Sequence, residues 1–556
     1  PSATARYSDT GAGVAVDVNL MAILSCSQSG TAGSVRYYTK VQDQADDTGY
    51  GEGLELAAHH VERNRQGYLF GKLATATAGA VASADVTGVT GTSAVTFTGT
   101  PYDDEHIVVD VVTGCTIGTA GGEIKVSRDG GITYGGTIRI GTATSYAIPN
   151  SGITVNFAAG TLVAGDSAVA YCSSPKWNAA GLAVVFDALK AQAKLPRIIV
   201  LCGDVDDTTD VQTVIDEIEA YETESDRRSV VLFQLRDWYA PAAMQGDPSD
   251  VDFDGTAHTI TRNTGSWITD GFKVGMTVVV SGTASGTNDG TAGVLTTVTG
   301  TVLTFAAGLT TQTNQVGSSL SITATETKST WRSALETIVG ASPSTQKVND
   351  KVMACGGRAR RKSPINSSRK RRNAAWPIAI RCMGHDIQVS PAEVALGGLE
   401  GWDIFDTDGV LEEHDERVDG GLLASRIACL RTFNSLPGIY CALPLTLDND
   451  NQPLSRLPIV LVAQLATNVC QTQTTMLLNG RVVLNSNGTP QEAESRRINA
   501  AVLGALEDEL LTKKREGQRA SDVTFSIDKS VDLRAVGAEV PWEATVTALG
   551  YIEQIA

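Results

Sequence analysis

The sequence predicts an α/β core with a mixed sheet and helices, two inserted all-β modules, and an α+β C-terminal domain with strand-exchanging terminal arms. Three observations lead to this fold class. A strand–helix–strand pattern runs from residue 196 to 235, the stretches 73–123 and 274–327 are rich in Gly, Thr and Val and contain no Lys or Arg, and two helical patterns follow residue 457. Because 556 residues exceed what one ordinary core accommodates, several domains are expected.

The α/β core is predicted from two apolar runs that flank a helical pattern. "PRIIVLCGD" (Pro196–Asp204) and "RRSVVLFQL" (Arg227–Leu235) are continuous apolar runs, typical of strands that are buried on both faces of a sheet. Between them, one helix face carries Val211, Val214, Ile215, Ile218 and Tyr221. This order indicates a βαβ unit.

The two modules are predicted from short alternating runs separated by glycine turns. "EIKVS" (Glu123–Ser127) and the turn "RDGG" (Arg128–Gly131) lie in the first module, and "MTVVVSG" (Met276–Gly282) and "TVLTF" (Thr301–Phe305) lie in the second. Insertion into surface loops of another domain is well tolerated. The predicted units are an N-terminal arm (1–20), the core (21–79 with 173–247 and 328–440), the two inserted β-domains (80–172 and 248–327), a C-terminal domain (441–542) and a C-terminal arm (543–556).

The C-terminal domain is predicted from two helices and two closing strands. The apolar run "LPIVLVAQLATNVCQTQTTMLLNG" (Leu457–Gly480) indicates the first helix. A capping box, with Thr489 as the N-cap and Glu492 at the third helical position, predicts the start of the second. "DVTFSID" (Asp522–Asp528) and "WEATVTALGYIEQI" (Trp542–Ile555) are strand-like.

The two chain ends are predicted to pair with neighbouring subunits. "VAVDVNL" (Val14–Leu20) alternates with period two, and the chain closes on another strand-like run. An end strand without an adjacent partner exposes unpaired backbone groups, and addition to a neighbour's sheet satisfies them. The candidate exchange residues are Val14, Val16, Val18, Leu20, Thr545, Val546, Tyr551 and Ile552.

One basic segment stands out in a chain whose formal net charge is −18. Its eight cations are Arg358, Arg360, Arg361, Lys362, Arg369, Lys370, Arg371 and Arg372. No aromatic residue is interleaved with them, as RNA-binding patches would require, and the net charge argues against coating of nucleic acid. We interpret the segment as an electrostatic docking loop for an acidic partner or as a solvated loop, in preference to a nucleic-acid contact.

The sequence offers no positive reason to predict an enzyme, a cofactor or a metal site. The nine cysteines form no CxxC pair, and no apolar run reaches the roughly 18 residues of a membrane span. "YDDEH" (Tyr102–His106) and "EEHDE" (Glu412–Glu416) are interpreted as solvated loops. "GDVDD" (Gly203–Asp207) is interpreted as an acidic helix start, with an enzyme using Asp204, Asp206 and Asp207 as the weaker alternative.

Three segments resemble the tail sheath proteins of contractile bacteriophage tails and related injection machines. The first is "GTAGSVRYYTKVQD" leading into "YGEGLELAAHHVERNRQGYLFGKL". The second is "RRSVVLFQLRD" resumed by "ETKSTWRSALETIVG". The third is "RVDGGLLASRIACLRTFNSLPGIYCALPLTL" (Arg417–Leu447), followed by two helices and closing strands in the order of a sheath's terminal domain.

The resemblance implies a function and a set of partners. It implies a homo-oligomer of stacked hexameric rings around a tail tube protein, with baseplate and tail terminator proteins at its ends. It also implies assembly in the host cytoplasm, location in the virion tail, and contraction that drives the tube through the host envelope for genome ejection. No direct nucleic-acid contact and no membrane insertion are expected. The alternative is a phage surface protein whose β-modules bind host carbohydrate.

Overall fold

The computed structural model describes most of the chain, and everything below refers to that part. The described residues are 20–86, 88–119, 121–225, 228–237, 239, 241–244, 251–268, 270–313, 319–340, 346–403, 422–433, 435–449, 452, 454–476, 482–512, 517–534 and 541–549. Within them lie eight α-helices: α1 (Val41–Thr48), α2 (Glu52–Asn64), α3 (Ala179–Lys190), α4 (Thr208–Ser225), α5 (Lys328–Val339), α6 (Ala375–Gly384), α7 (Leu457–Thr475) and α8 (Glu492–Leu510). None of these helices is both long and apolar enough to cross a membrane.

A six-stranded mixed sheet forms the centre of the fold. Its strands, in sheet order, are β2 (Val35–Tyr38), β3 (Tyr68–Lys72), β1 (Met21–Ser25), β16 (Ile198–Val205), β17 (Val230–Leu235) and β25 (Val352–Cys355). All neighbours pair in parallel except β2 with β3. The predicted mixed α/β class is therefore confirmed.

Both faces of this sheet are buried, which explains the continuous apolar runs. Ile198 and Val200 of β16 belong to one apolar cluster, whereas Ile199 and Leu201 belong to another. Successive side chains of a strand point to opposite faces. Helices α2 and α6 cover the first face, and α3, α4 and α5 cover the second. The predicted apolar face of α4 is buried as expected.

The chain leaves the sheet after β3 and builds a first group of antiparallel strands around an apolar cluster of its own. One sheet has the order β10 (Ile138–Arg139), β9 (Glu123–Ser127), β7 (Glu105–Thr113), β14 (Ser167–Ser173) and β5 (Ala80–Asp85). Another has the order β11 (Ser145–Ala147), β12 (Ile153–Phe157) and β6 (Val95–Gly99), and β8 (Cys115–Thr116) pairs with β13 (Thr161–Leu162). The pair β4 (Thr75–Thr77) and β15 (Lys176–Trp177) joins the group to the core.

A second group of antiparallel strands follows β17 and encloses another apolar cluster. It is a seven-stranded sheet with the order β18 (Ala242–Ala243), β24 (Ser321–Thr325), β21 (Thr277–Ser281), β22 (Gly290–Val298), β23 (Val302–Phe305), β20 (Thr259–Arg262) and β19 (Val251–Asp254). At its base Glu326 is ion-paired to Arg236, with Nη1 at 2.9 Å and Nη2 at 2.5 Å. Both side chains are buried, so this pair fixes the point of attachment.

The C-terminal helices pack directly on the core. Leu461 of α7 and Leu506 of α8 lie in the same apolar cluster as Trp376 of α6. Three hairpins complete the fold: β26 (Arg358–Lys362) with β27 (Arg369–Asn373), β28 (Leu430–Phe433) with β29 (Leu436–Cys441), and β30 (Ala520–Ile527) with β31 (Trp542–Ala548).

The predicted capping box of α8 is wrong. The N-cap is Gln491, without a side-chain cap, and the Thr489 hydroxyl instead donates to Asn487 at 2.8 Å. The physical reason is a tight turn, in which Asn485 N–H donates to Thr489 O at 2.8 Å and Gln491 N–H donates to Val483 O at 2.9 Å. These backbone bonds hold Thr489 away from the helix end.

We predict that Leu201→Ala in β16 lowers the free energy of unfolding by about 2–5 kcal/mol. The leucine side chain is 1% exposed, so its truncation leaves a cavity in the core. The matched control is Val184→Ala, which removes an aliphatic side chain that is 53% exposed on α3. Urea unfolding followed by tryptophan fluorescence measures both. Equal effects of the two substitutions would contradict the burial of β16.

Candidate functional site

The basic segment forms the β26–β27 hairpin, so only residues 363–368 remain a loop. The two strands pair with Ala359 opposite Arg372 and Arg361 opposite Lys370. Because alternate residues of a strand share a face, the eight cations are divided between two faces. Each face meets carboxylates of the same chain.

One face of the hairpin meets the carboxyl ends of the central strands. Arg358 is 1% exposed, and its Nη2 lies 2.6 Å from Oδ1 of Asp204 in β16. Asp237, just after β17, lies 3.7 Å from Arg358 Nε and 3.4 Å from Arg371 Nη2. In open α/β sheets this end is where ligands bind. Here arginines of the same chain occupy it.

The other face meets helix α2 and the start of β7. Arg372 is fully buried, and its Nη2 lies 2.5 Å from both Glu55 Oε2 and Asp103 Oδ2. Lys370 donates to Asp103, and its Nζ lies 3.3 Å from Glu105 Oε1. Arg128 also binds Glu105, with Nε at 2.8 Å from Oε2.

The interpretation of "YDDEH" as a solvated loop is therefore wrong. Asp103 is 6% exposed and Glu105 is 5% exposed, and both are ion-paired with the basic hairpin. The reason is that two oppositely charged segments far apart in sequence bury each other. "EEHDE" lies outside the described residues.

We call this set of buried and half-buried ion pairs the charge cluster. Its members are Glu52, Glu55, Asp103, Glu105, Asp204, Asp237, Arg358, Lys370, Arg371 and Arg372. It connects the basic hairpin, α2, two central strands and the first group of antiparallel strands. Removing one partner from such a network leaves an uncompensated buried charge, which is strongly destabilising.

The carboxyl groups of Glu55 and Glu52 on α2 have opposite pKa shifts, and they lie at different distances from Arg372. Burial favours a raised pKa for Glu55, but the charges of Arg372 and Lys370 outweigh it and hold the pKa well below its ordinary value. Glu52 Oε1 lies farther from Arg372 Nη1, at 3.8 Å. Burial, followed by the charge of Asp104, raises the pKa of Glu52 to about 8.

The docking role of the basic segment stays a prediction, and the structure narrows the residues that can carry it. Arg358, Lys370 and Arg372 are buried, whereas Lys362 and Arg369 are exposed. Arg369 contacts Asp403, and Arg361 Nη2 lies 3.0 Å from Glu62 Oε2. Arg360 is half-buried and shares two backbone hydrogen bonds with Asp403, at 2.6 and 3.0 Å.

The acidic run after β16 shows the same internal pairing. Asp206 contacts Lys176, and Lys176 Nζ lies 2.8 Å from Asp210 Oδ2. Asp206, Asp207 and Asp210 lie close enough to share an ion, but exposed acidic groups are common without one. Together with the Arg358 contact to Asp204, this pairing disfavours the enzyme alternative. None of the nine cysteines, all of which lie in the described residues, forms a disulfide bond with another.

The candidate exchange residues are only partly described. Val14, Val16, Val18, Tyr551 and Ile552 lie outside the described residues.

Leu20 leads into β1 and is 1% exposed, and its carbonyl accepts from Arg197 N–H at 2.8 Å. Thr545 pairs with Thr524 and Val546 pairs with Val523 inside the same chain. The premise that the closing strand lacks an adjacent partner is therefore wrong for Trp542–Ala548.

Strand β31 nevertheless has a partner on only one edge within the described residues, because its sheet contains two strands. A groove lies between α7 and one face of this strand, lined by the α7 side chains Ile459, Val462 and Ala466 and by Ala544 and Val546 of β31. Ala544 and Val546 are only half-buried. An apolar groove beside an unpaired strand edge is suited to accept one more strand. Exchange between subunits stays a prediction.

Comparison with known proteins gives likenesses of fold only. No family model and no curated protein matches the chain. A sheath tail protein from Listeria innocua is similar, with 11% identity, a TM-score of 0.36 and coverage of 96% of each chain. A sheath tail protein from Desulfitobacterium hafniense has 9% identity, a TM-score of 0.39 and coverage of 98% of this chain and 100% of that one.

A third similar structure is the sheath complex of an extracellular contractile injection system, PVC, in the contracted state. It has 13% identity and a TM-score of 0.28, and covers 40% of this chain and 59% of that one.

We predict that Arg372→Met lowers the free energy of unfolding by about 3–5 kcal/mol, because Glu55 and Asp103 then lack their main buried cation. Lys362→Met is the matched control, since Lys362 lies in the same hairpin and is exposed. Its expected effect is within about 0.5 kcal/mol. Chemical denaturation measures both, and a small effect of Arg372→Met would contradict the central role of that residue.

The raised pKa of Glu52 predicts a pH dependence. Between the unfolded pKa of about 4.3 and the folded pKa of about 8, the folded chain holds a proton that the unfolded chain has released. The free energy of unfolding therefore decreases as pH rises through this window. We expect Glu52→Gln to remove that decrease, so the variant gains stability relative to the wild type between pH 5 and pH 8.

Glu55→Gln is the matched control for this pH dependence. Because the folded pKa of Glu55 is lowered, its carboxylate is charged in both states across the same window and contributes no slope. Urea midpoints at pH 5, 6.5 and 8 measure both variants. An unchanged slope in Glu52→Gln would show that Glu52 is not the titrating group.

Proposed function

We propose that this chain is a structural subunit of a contractile tail sheath. It polymerises as stacked hexameric rings around a tail tube, and its contraction drives the tube through a host envelope. The observation that carries the proposal is an edge of β31 that has no partner among the described residues, together with the apolar groove between β31 and α7. The three-part sequence resemblance supports it independently.

In this function the open edge receives a strand from a neighbouring subunit. Backbone N–H and C=O groups on that edge of β31 provide the hydrogen bonds, and the groove against α7 accepts apolar side chains on one face of the added strand. Such a link depends on backbone bonds, so it persists when the subunit bodies rotate. Subunit connectivity stays constant while the contacts between bodies change.

Transmission of force requires each subunit body to keep its internal geometry. The charge cluster ties the first group of inserted strands to α2 and to the central sheet. The Arg236–Glu326 ion pair does the same for the second group. These buried links support a body that moves as one unit. The energy of contraction then comes from the difference between two packings of the same subunits.

The proposed partners are further copies of this chain, a tail tube protein, and baseplate and tail terminator proteins. The subunit assembles in the host cytoplasm and acts in the virion tail, without direct contact to nucleic acid. The carbohydrate-binding alternative stays a prediction for residues 248–327, and saturable binding on a glycan array would support it.

We predict that deleting residues 549–556 abolishes polymerisation and leaves a folded monomer, because the cut preserves the β30–β31 hairpin. Deleting residues 2–19 should have the same effect, since the cut precedes Leu20 and β1. Negative-stain microscopy distinguishes striated cylinders from monomers, and circular dichroism checks the fold.

Point variants separate strand pairing from chain length. Ile552→Pro removes a backbone donor and should block polymerisation, whereas Ile552→Thr keeps the β-propensity and should preserve it. Full-length tubes formed by the truncated proteins would refute the strand-exchange model.

A further inference from the structure

A polar cavity of about 270 Å³ lies between the end of α2, the end of α6 and the segment that precedes Asp403. The side chains on which the argument depends are Arg63, Arg361, Arg381, His385, Glu400 and Trp402. This volume is slightly below the range of pockets for drug-sized ligands. The cavity is therefore of a size for one compact polar group.

The cavity has more cations than carboxylates. Arg63 contacts Glu400, and Arg361 Nη2 lies 3.0 Å from Glu62 Oε2. The Arg361 guanidinium also lies over the Trp402 ring, 5.4 Å from its centroid. The charges of Arg63 and Arg361 are thus already compensated inside the chain.

Arg381 differs from the other two arginines. It is 8% exposed, and its Nη2 donates to two backbone carbonyls, Glu393 O at 3.1 Å and Gly397 O at 2.8 Å. Within the described part of the chain, no carboxylate oxygen lies within 4 Å of its guanidinium. A buried cation without an ion-pair partner is costly, and an anion in the cavity would relieve that cost.

His385 lines the cavity, and its pKa is lowered. Burial lowers the pKa of His385, and the charges of Arg381 and Arg63 lower it further. Arg197 acts in the same direction, whereas Glu393 opposes it. The charged groups that act on His385 are thus mainly positive.

We propose that this cavity binds one oxyanion, a carboxylate or a phosphate group, with Arg381 as its principal cation. Arg63 rims the site, and Arg361 on Trp402 forms a wall. Two sources offer this chemistry. One is a free inorganic anion, and the other is an acidic side chain of a neighbouring copy, which the net charge of −18 makes abundant. The second source rests on the proposed sheath function, and the first does not.

Titration of the full-length, unassembled protein with inorganic phosphate tests the site directly. We expect saturable binding by calorimetry, weakened at least about tenfold in Arg381→Gln, because a charge-assisted hydrogen bond is lost. Arg139→Gln is the matched control. The Arg139 side chain is 87% exposed, and this residue lies in β10 and does not line the cavity. Arg381→Lys keeps the charge and should retain partial binding, and circular dichroism confirms that each variant folds.

The pKa of His385 provides a second readout, because a bound anion offsets the positive field. Phosphate should raise the pKa of His385 in the wild type and should not raise it in Arg381→Gln. NMR measures this pKa, and the variant His385→Gln identifies the His385 signal. The carboxylates that could mimic the effect are Glu393 and Glu400, and neither is changed in these variants.

Polymerisation distinguishes the two sources. If a neighbour's carboxylate fills the cavity, Arg381→Gln assembles poorly and excess phosphate inhibits assembly of the wild type. If a free anion fills it, Arg381→Gln assembles normally while phosphate binding is lost. Absence of phosphate binding, an unchanged His385 pKa and normal assembly of Arg381→Gln together would overturn the proposal. A wild type that never polymerises refutes the sheath function, and the phosphate titration still decides the cavity.

Discussion

The burial of Arg372 between Glu55 and Asp103 is the constraint on which the arrangement of this chain depends. Its three groups come from β27, from α2 and from the segment before β7, which are separate elements of the chain. None of these charges can be left alone in the interior without a large cost. The hairpin, the helix and the first inserted strands must therefore keep one relative position, and this requirement orients the inserted strands on the core.

This rigidity fits the proposed mechanics. A sheath subunit changes its contacts with neighbours while its own body stays intact. Strong internal ion pairs hold both groups of antiparallel strands to the central sheet, whereas the proposed link between subunits is formed at the edge of β31 that is unpaired within the described residues. The division between a fixed interior and exchangeable ends is the physical basis of the proposed function.

Local patterns in the sequence predicted local structure well. The apolar runs at β16 and β17 and the buried face of α4 follow from side-chain periodicity, since the spacing of apolar residues reports which face is covered.

The ion-pair partners of the charged residues could not be predicted from the sequence. The basic segment and "YDDEH" each look solvated alone, because only the tertiary fold brings Lys370 to Asp103. The capping box of α8 failed for a similar reason, since hydrogen bonds in a neighbouring turn compete for Thr489. The cavity at Arg381 had no signal in the sequence, because its lining comes from four separate segments.

The internal pairing of the basic segment also determines how copies can associate. At least six of its eight cations have a carboxylate partner among the described residues: Arg358, Arg361, Arg369, Lys370, Arg371 and Arg372. These cations and their carboxylate partners neutralise each other inside the subunit, and the formal net charge of the chain, which already counts both, is −18. Copies with the same net charge repel one another at low ionic strength, so long-range electrostatic attraction does not bring them together. In the proposed assembly, association depends on short-range contacts. These are backbone hydrogen bonds at the edge of β31 that is unpaired within the described residues, apolar side chains in the groove between β31 and α7, and cations such as Arg381 that have no carboxylate partner in the described part.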